Sequence, residues 1–298
     1  MGPDDGAIAE IWREHHRYVL DIGYRMLGSV SDAEDAVQEA FARLVRTGPD
    51  GIEDVRGWLV VVVTRLCLDQ LRSSRTKRES SVGAWLPEPV VENDLADPAD
   101  RITLDDSVRM AMLVVLERLT PAERGAFVLH DVFGFSFEDI AKILGRSVES
   151  SRQLASRARK RIHEETGPSR FEVDPAELSR IADRFISAAT DGDVDALMDV
   201  LDPKVVGWTD TGGMPGTPLK PIEGRDRVAN QFLRFMRLFR VTLHPMPVNG
   251  EPGVLARSDG RLLAVIAFET REGRVSRIHG IANPMKLGYV ASVLGERD

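Results

Sequence analysis

The chain has 298 residues, 43% hydrophobic and 29% charged, which fits soluble globular domains, excludes a mostly disordered chain and predicts two or three domains. The net charge of −8 excludes a generally basic nucleic-acid binder, since residues 1–170 hold 23 Lys/Arg against 29 Asp/Glu and residues 171–298 hold 16 against 18. The single cysteine, Cys67, excludes an internal disulfide framework, and the acidic first ten residues and short apolar runs argue against a signal peptide or a membrane span, so a cytoplasmic location is expected.

Residues 7–78 read as helical. Ile8, Ile11, Trp12, His15, Val19 and Ile22 fall at helical spacing, and Gly28 ends the pattern. Ser31 and Glu34 have the spacing of a capping box for a helix over 32–45. That helix buries Ala33, Ala36, Val37, Ala40, Phe41 and Leu44, and exposes an acidic stripe of Asp32, Asp35, Gln38 and Glu39. A Gly/Pro/Asp loop over 47–54 leads into a helix over 55–75, where Trp58, Leu59, Val62 and Leu66 keep the helical alternation through a β-branched run.

Residues 80–100 read as an acidic linker with three prolines and no basic residue. Its apolar island, Trp85-Leu86-Pro87-Glu88-Pro89, needs a surface to dock on. Residues 101–166 return to helix: one over 104–119, one capped by Thr120 with Pro121 first and Glu123 third, a short one over 135–144, a turn at Gly145-Arg146-Ser147, and a longer one over 148–163. Beyond Pro175 two helices, 175–191 and 194–201, precede strand-like stretches at 205–210, 240–248, 253–257, 262–269 and 274–282, with one helix at 225–238. The pattern predicts an α+β domain built on an antiparallel meander.

The charge is clustered. Arg72, Arg75, Lys77 and Arg78 form one basic group, and the helix beginning at Val148 carries another. Residues 135–161 have helix-turn-helix spacing, with Gly145 in the turn. In the second helix Val148, Ser151, Ala155, Ala158 and Ile162 turn inward. Glu149, Arg152, Gln153, Ser156, Arg157, Arg159 and Lys160 turn outward, with Arg146 just ahead of them and Leu154 outward as an exception. Arginine forks onto guanine, glutamine onto adenine, and the remaining polar groups hold phosphates.

Residues 119–162 resemble the promoter −35-binding region of a bacterial sigma factor. The stretches 31–45 and 57–79 resemble the core-polymerase-binding and −10-recognition regions of the same family. The order matches the extracytoplasmic-function (ECF) group, and "WLPEP" (85–89), "WTDTGG" (208–213) and "ANPMKL" (282–287) resemble signatures of the SigJ-type subgroup with a fused SnoaL-like domain. Thr211 and Met285 stand where that subgroup has glycine and aspartate.

The resemblance implies a multidomain protein. Region 2 covers 1–79, the acidic linker 80–100 and region 4 covers 101–167, both regions all-α. An α+β, cone-shaped, nuclear-transport-factor-like domain covers 175–298. It implies that Asp32, Asp35, Gln38 and Glu39 dock on the polymerase β′ subunit. Arg65, Asp69, Arg72, Arg75, Lys77 and Arg78 then meet the −10 element, and the outward residues of the last region-4 helix meet the −35 element. Core RNA polymerase (β′ and β) and promoter DNA are the expected partners; no cofactor, metal or catalytic residue is expected, and no separate anti-sigma factor. Trp85, Leu86 and Pro87 are expected to dock near Asp210, Gly212, Gly213, Asn283, Pro284 and Leu287 as regulatory contacts. Trp208, Asp210, Arg225, His244 and His279 are candidates to line an internal pocket for a small-molecule ligand. Two other readings stay open: a one-component DNA-binding ligand sensor, and a cyclase- or isomerase-like enzyme using Asp210 and His279 as acid and base.

Overall fold

A helix of 25 residues, α1 (Pro3–Leu27), opens the chain in the computed structural model, which describes residues 3–79, 84–91, 102–166, 175–214 and 220–296. Gly28, at φ 66°, stops it and leads into α2 (Val30–Thr47). The cap of α2 is Ser29, whose Oγ accepts from Asp32 N at 3.1 Å, so the expected cap at Ser31 is corrected two residues earlier. All six residues predicted to face inward on α2 are buried. A 3-10 turn over Pro49–Gly51 leads to α3 (Val55–Glu79), where the valine run stays helical.

The expected single helix over 104–119 is broken. Asp105 Oδ1 accepts from Ser107 N at 2.8 Å and also from its hydroxyl, a local turn that competes with helix. Only Met110–Leu116 is α-helical (α4). The buried Arg25 guanidinium ties this segment to α1, donating to Asp21 O at 3.0 Å, Thr103 O at 2.9 Å, Asp105 Oδ2 at 3.0 Å and Ser107 Oγ at 2.7 Å. The capping box at Thr120 and Glu123 forms as predicted and starts α5 (Pro121–Phe127). A π turn over Val128–Val132 follows, then α6 (Phe137–Leu144), capped by Ser136, and α7 (Val148–Thr166).

These helices share one core. The described residues up to 79, with 102–107 and 112–165, group as one unit; 84–91, 108–111 and those from 175 onward group as a second. In the helical unit Arg124 is buried, donating to Met26 O at 2.7 Å and Leu116 O at 2.8 Å and pairing with Glu117. A Cβ on Gly125 would touch Leu144 of α6, Leu68 of α3 and Met26 of α1, so α5 packs closely among all three.

The second unit sets α8 (Pro175–Asp191), α9 (Val194–Val200) and α10 (Arg225–Leu238) against a six-stranded sheet. The strands are β1 (Leu201–Asp210), β2 (Ile222–Glu223), β3 (Thr242–Val248), β4 (Glu251–Ser258), β5 (Arg261–Arg271) and β6 (Arg274–Ile281), in the order β2-β1-β6-β5-β4-β3. The α+β class is as predicted, but the sheet is mixed: β1 runs parallel to β6, because the helices return the chain to the far side of the β3–β6 meander. A last helix, α11 (Pro284–Val293), is capped by Asn283, whose side chain accepts from Met285 N.

Strand alternation divides the sheet into two faces. Val254, Ala256, Ala264, Ile266, Phe268 and Ile278 pack with Phe185, Val228 and Leu233 of the helices. Gly207 belongs to this face, since a Cβ there would meet Val228. Trp208, Glu269 and His279, one step along their strands, lie on the other face.

Candidate nucleic-acid interface and linker clasp

Of the residues predicted to face outward on α7, all but Leu154 are exposed, as is Arg146: Glu149, Arg152, Gln153, Ser156, Arg157, Arg159 and Lys160. Ser151, Ala155, Ala158 and Ile162 are buried and Val148 is half-buried, and the small Ser151, Ala155 and Ala158 let α7 lie close to its neighbours. Leu154 is buried too, which corrects the outward placement: its position borders the buried arc, and its apolar surface is removed from water. Gly145 adopts the left-handed conformation (φ 63°, ψ 43°) that makes the turn.

The arginines of this face are not loose. Arg157 Nε donates to Glu123 Oε1 at 3.1 Å, and Arg161 Nη1 donates to Glu123 Oε2 at 3.0 Å. Arg159 Nε donates to Asp131 Oδ1 at 2.6 Å. Arg152 lies 3.7 Å from Glu138 and over the Phe137 ring. Burial works to raise the pKa of Glu123, but the Thr120 hydroxyl and amide, the Arg157 hydrogen bond and the Arg161 charge outweigh it and leave the carboxyl below its ordinary value. Arg161 and Glu123 were absent from the sequence-predicted interface. Arg161 was visible in the basic cluster, whereas the pairing with Glu123, 34 to 38 residues away, has no local signal.

On α3, Arg65, Asp69 and Arg72 are exposed, with Arg72 Nη1 donating to Asp69 Oδ1 at 2.9 Å. Arg65 donates to Ile143 O at 3.3 Å and Lys142 O at 3.2 Å, satisfying carbonyls at the end of α6. The predicted side chains of Arg75, Lys77 and Arg78 lie outside the described residues. On α2, Asp35 and Gln38 are exposed and Asp32 and Glu39 half-buried. Glu39 pairs with Arg43 at 2.7 Å and Arg46 at 3.3 Å, and the Arg43 hydrogen bond leads in holding its carboxyl below the ordinary range.

In the second unit the structure brings the linker island to Asp210. Leu86, Pro87, Glu88, Pro89, Val90 and Val91 are buried, and Trp85 is half-buried. Asp210, buried to 3% exposure, accepts from Leu86 N at 3.0 Å. Lys286 Nζ donates to Asp210 Oδ2 at 2.6 Å and to Leu86 O, and stands 3.9 Å over the Trp85 ring. Asp210 also accepts from Gly212 N at 3.0 Å and Asn283 Nδ2 at 3.4 Å. Gly212 has φ 65°, and a Cβ there would lie 2.7 Å from Asn283 Oδ1, so a side chain there is strained in its backbone and displaces the Asn283 amide. Gly213 and Pro284 are exposed and Leu287 is buried. The sequence missed Lys286 and Asn249. Asn249 exchanges hydrogen bonds with Val90 (N to O 2.7 Å; Oδ1 from N 3.2 Å) and donates to Val108 O at 2.9 Å.

The proposed pocket lining is corrected by the pleat. Trp208, Asp210 and His279 share the sheet face turned away from α8–α10. His279 Nε2 lies 2.8 Å from Glu269 Oε1 and its ring stacks on Trp208, while Asp210 is committed to Lys286 and Leu86, so no Asp210–His279 acid–base pair is assembled. His244 is exposed, 3.1 Å from the Thr242 hydroxyl, and Arg225 is half-buried at the start of α10. Among the described residues no cluster of His, Cys, Asp or Glu could hold a metal ion, and no helix is long and apolar enough to cross a membrane.

Family models for sigma-70 region 2 and sigma-70 region 4 match residues 11–77 and 109–162, that is, α1–α3 and α4–α7. The probable ECF RNA polymerase sigma factor SigI of Mycobacterium tuberculosis is 41% identical over 290 residues, covering 97% of each chain. The ECF RNA polymerase sigma factor SigJ of the same organism is 39% identical, covering 97% of this chain and 94% of the relative. The crystal structure of M. tuberculosis SigJ matches with a TM-score of 0.75 and 35% identity, covering 94% of this chain and 98% of that one. With such relatives over nearly its full length, and with sigma-70 regions 2 and 4 matching α1–α3 and α4–α7, the chain belongs to the extracytoplasmic-function sigma factors of RNA polymerase.

Proposed function

We propose that the chain directs RNA polymerase to promoters by three helices, and that its C-terminal unit regulates it in cis. The acidic face of α2 docks on the polymerase β′ subunit, where complementary charge sets register and on-rate. The exposed face of α3 engages the −10 element, and the exposed face of α7 lies in the major groove at the −35 element. The hold of Asp210, Lys286 and Asn249 on residues 84–91 is the regulatory contact, standing in for a separate anti-sigma partner. The observation that carries the reading is the exposed polar and basic face of α7 behind a glycine turn, on a body whose net charge is −8. Run-off transcription with core RNA polymerase tests it. Start-site-specific transcripts are expected from the full chain and are lost in Arg152→Ala/Gln153→Ala. Asp210→Ala changes their yield at fixed protein concentration. No specific transcript from any genomic fragment would refute the sigma activity; an unchanged yield with Asp210→Ala would refute the regulation alone.

A further inference from the structure

We propose that Arg157 and Arg161 form a phosphate clamp on one flank of α7, with the buried carboxylate of Glu123 as its positioning residue. The inference rests on the reading of α7 as the helix that enters the major groove. At about 3.6 residues per turn, Glu149, Gln153, Ser156 and Lys160 run along the middle of the exposed face. Arg152 and Arg159 border it on one side, Arg157 and Arg161 on the other. A helix in the groove offers its middle to base edges and its flanks to the two backbones.

Arg157 and Arg161 are one turn apart and share one carboxylate, at 3.1 and 3.0 Å. Each spends a single N–H direction on Glu123 out of a fork of five donors, so most of each guanidinium stays free for a ligand. Their side chains are 53% and 47% exposed, while that of Glu123 is 4% exposed. Glu123 cannot swing out to follow the arginines, because Thr120 N (3.1 Å) and Oγ1 (2.8 Å) also hold Oε2. The trio keeps one net positive charge and presents two oriented planar forks, the geometry that a phosphodiester oxygen pair accepts. A free arginine loses rotamer entropy on being fixed. Glu123 meets part of that cost before DNA arrives, which is preorganisation.

The test uses the full-length chain with core RNA polymerase and a duplex selected by that complex from a random-sequence pool. Arg161→Ala is expected to weaken binding about tenfold on every sequence alike and to lower the slope of log K against log salt by about one. Glu123→Gln keeps the capping box, since glutamine serves at the third position, so the variant folds with a melting midpoint near that of the parent. It is expected to weaken binding roughly threefold with the slope unchanged. A selection that enriches no sequence would refute the reading of α7, and the clamp with it. Specific binding combined with an unchanged slope for Arg161→Ala, or tighter binding by Glu123→Gln, would refute the clamp alone.

Discussion

Lys286 shows what a single buried charge does in this protein. Its side chain is 10% exposed, and its ammonium meets a carboxylate, a backbone carbonyl and an indole face. Removing either partner of such a pair leaves the other charge desolvated and alone, which costs about 3–5 kcal/mol. Lys286→Met is therefore expected to destabilise the C-terminal unit by about that much in urea unfolding followed by tryptophan fluorescence. Lys286→Met/Asp210→Leu is expected to recover a large part of the loss, because no stranded charge remains. A cost below about 1 kcal/mol for the single variant would mean that Asp210 finds other compensation. At this scale the sequence was only partly legible. Asp210 and Leu86 stand out within their motifs, but the lysine between Met285 and Leu287 gives no sign that its charge is buried, since that depends on a partner 200 residues away in sequence.

The elements follow local rules where those rules are strong. In α7 small inward residues and charged outward ones set the face, and in α2 the buried set repeats at helical spacing. The turn between α6 and α7 depends on Gly145 at φ 63°, where a Cβ would meet nothing within 4 Å. The cost of a side chain there is backbone conformation alone. Gly145→Ala should destabilise the helical unit by about 1–2 kcal/mol, and Gly145→Asn by less, because asparagine visits the left-handed region more readily. Equal melting temperatures for the glycine and alanine proteins would contradict this. Periodicity failed where long-range contacts took over. The apolar stretch 110–116 predicted a longer helix, but Arg25 and the Asp105 turn hold its start in another shape. The parallel β1–β6 pairing joins strands more than 60 residues apart, and nothing local announces it. By contrast α11 was readable in principle: Asn283 followed by Pro284 is a helix-start signal.

At the scale of the whole molecule, the chain crosses between its two units more often than four consecutive segments would require. Residues 84–91 and 108–111 group with the sheet, whereas 102–107 and 112–165 group with the helices. One hairpin corner serves both strays. Asn249 and Gly250, at φ 55° and 77°, form the two-residue turn between β3 and β4. The Asn249 side chain holds Val90 N and Val108 O at once. The Asn-Gly pair signals a hairpin, but sequence alone does not show what its amide grips. Asn249→Gly preserves the turn, because glycine adopts the same backbone, and deletes both side-chain hydrogen bonds. Of the two, only the bond to Val90 N is made by residues 84–91, and at about 1 kcal/mol its loss should make their local opening easier by about that much. The amides of Leu86 and Val91 should then exchange with deuterium roughly fivefold faster. The exchange of Val254 and Ile266 in the sheet core should change little. Uniform acceleration across the sheet would show that the substitution loosens the whole unit. Unaltered exchange at Leu86 would show that the segment is held without the Asn249 side chain.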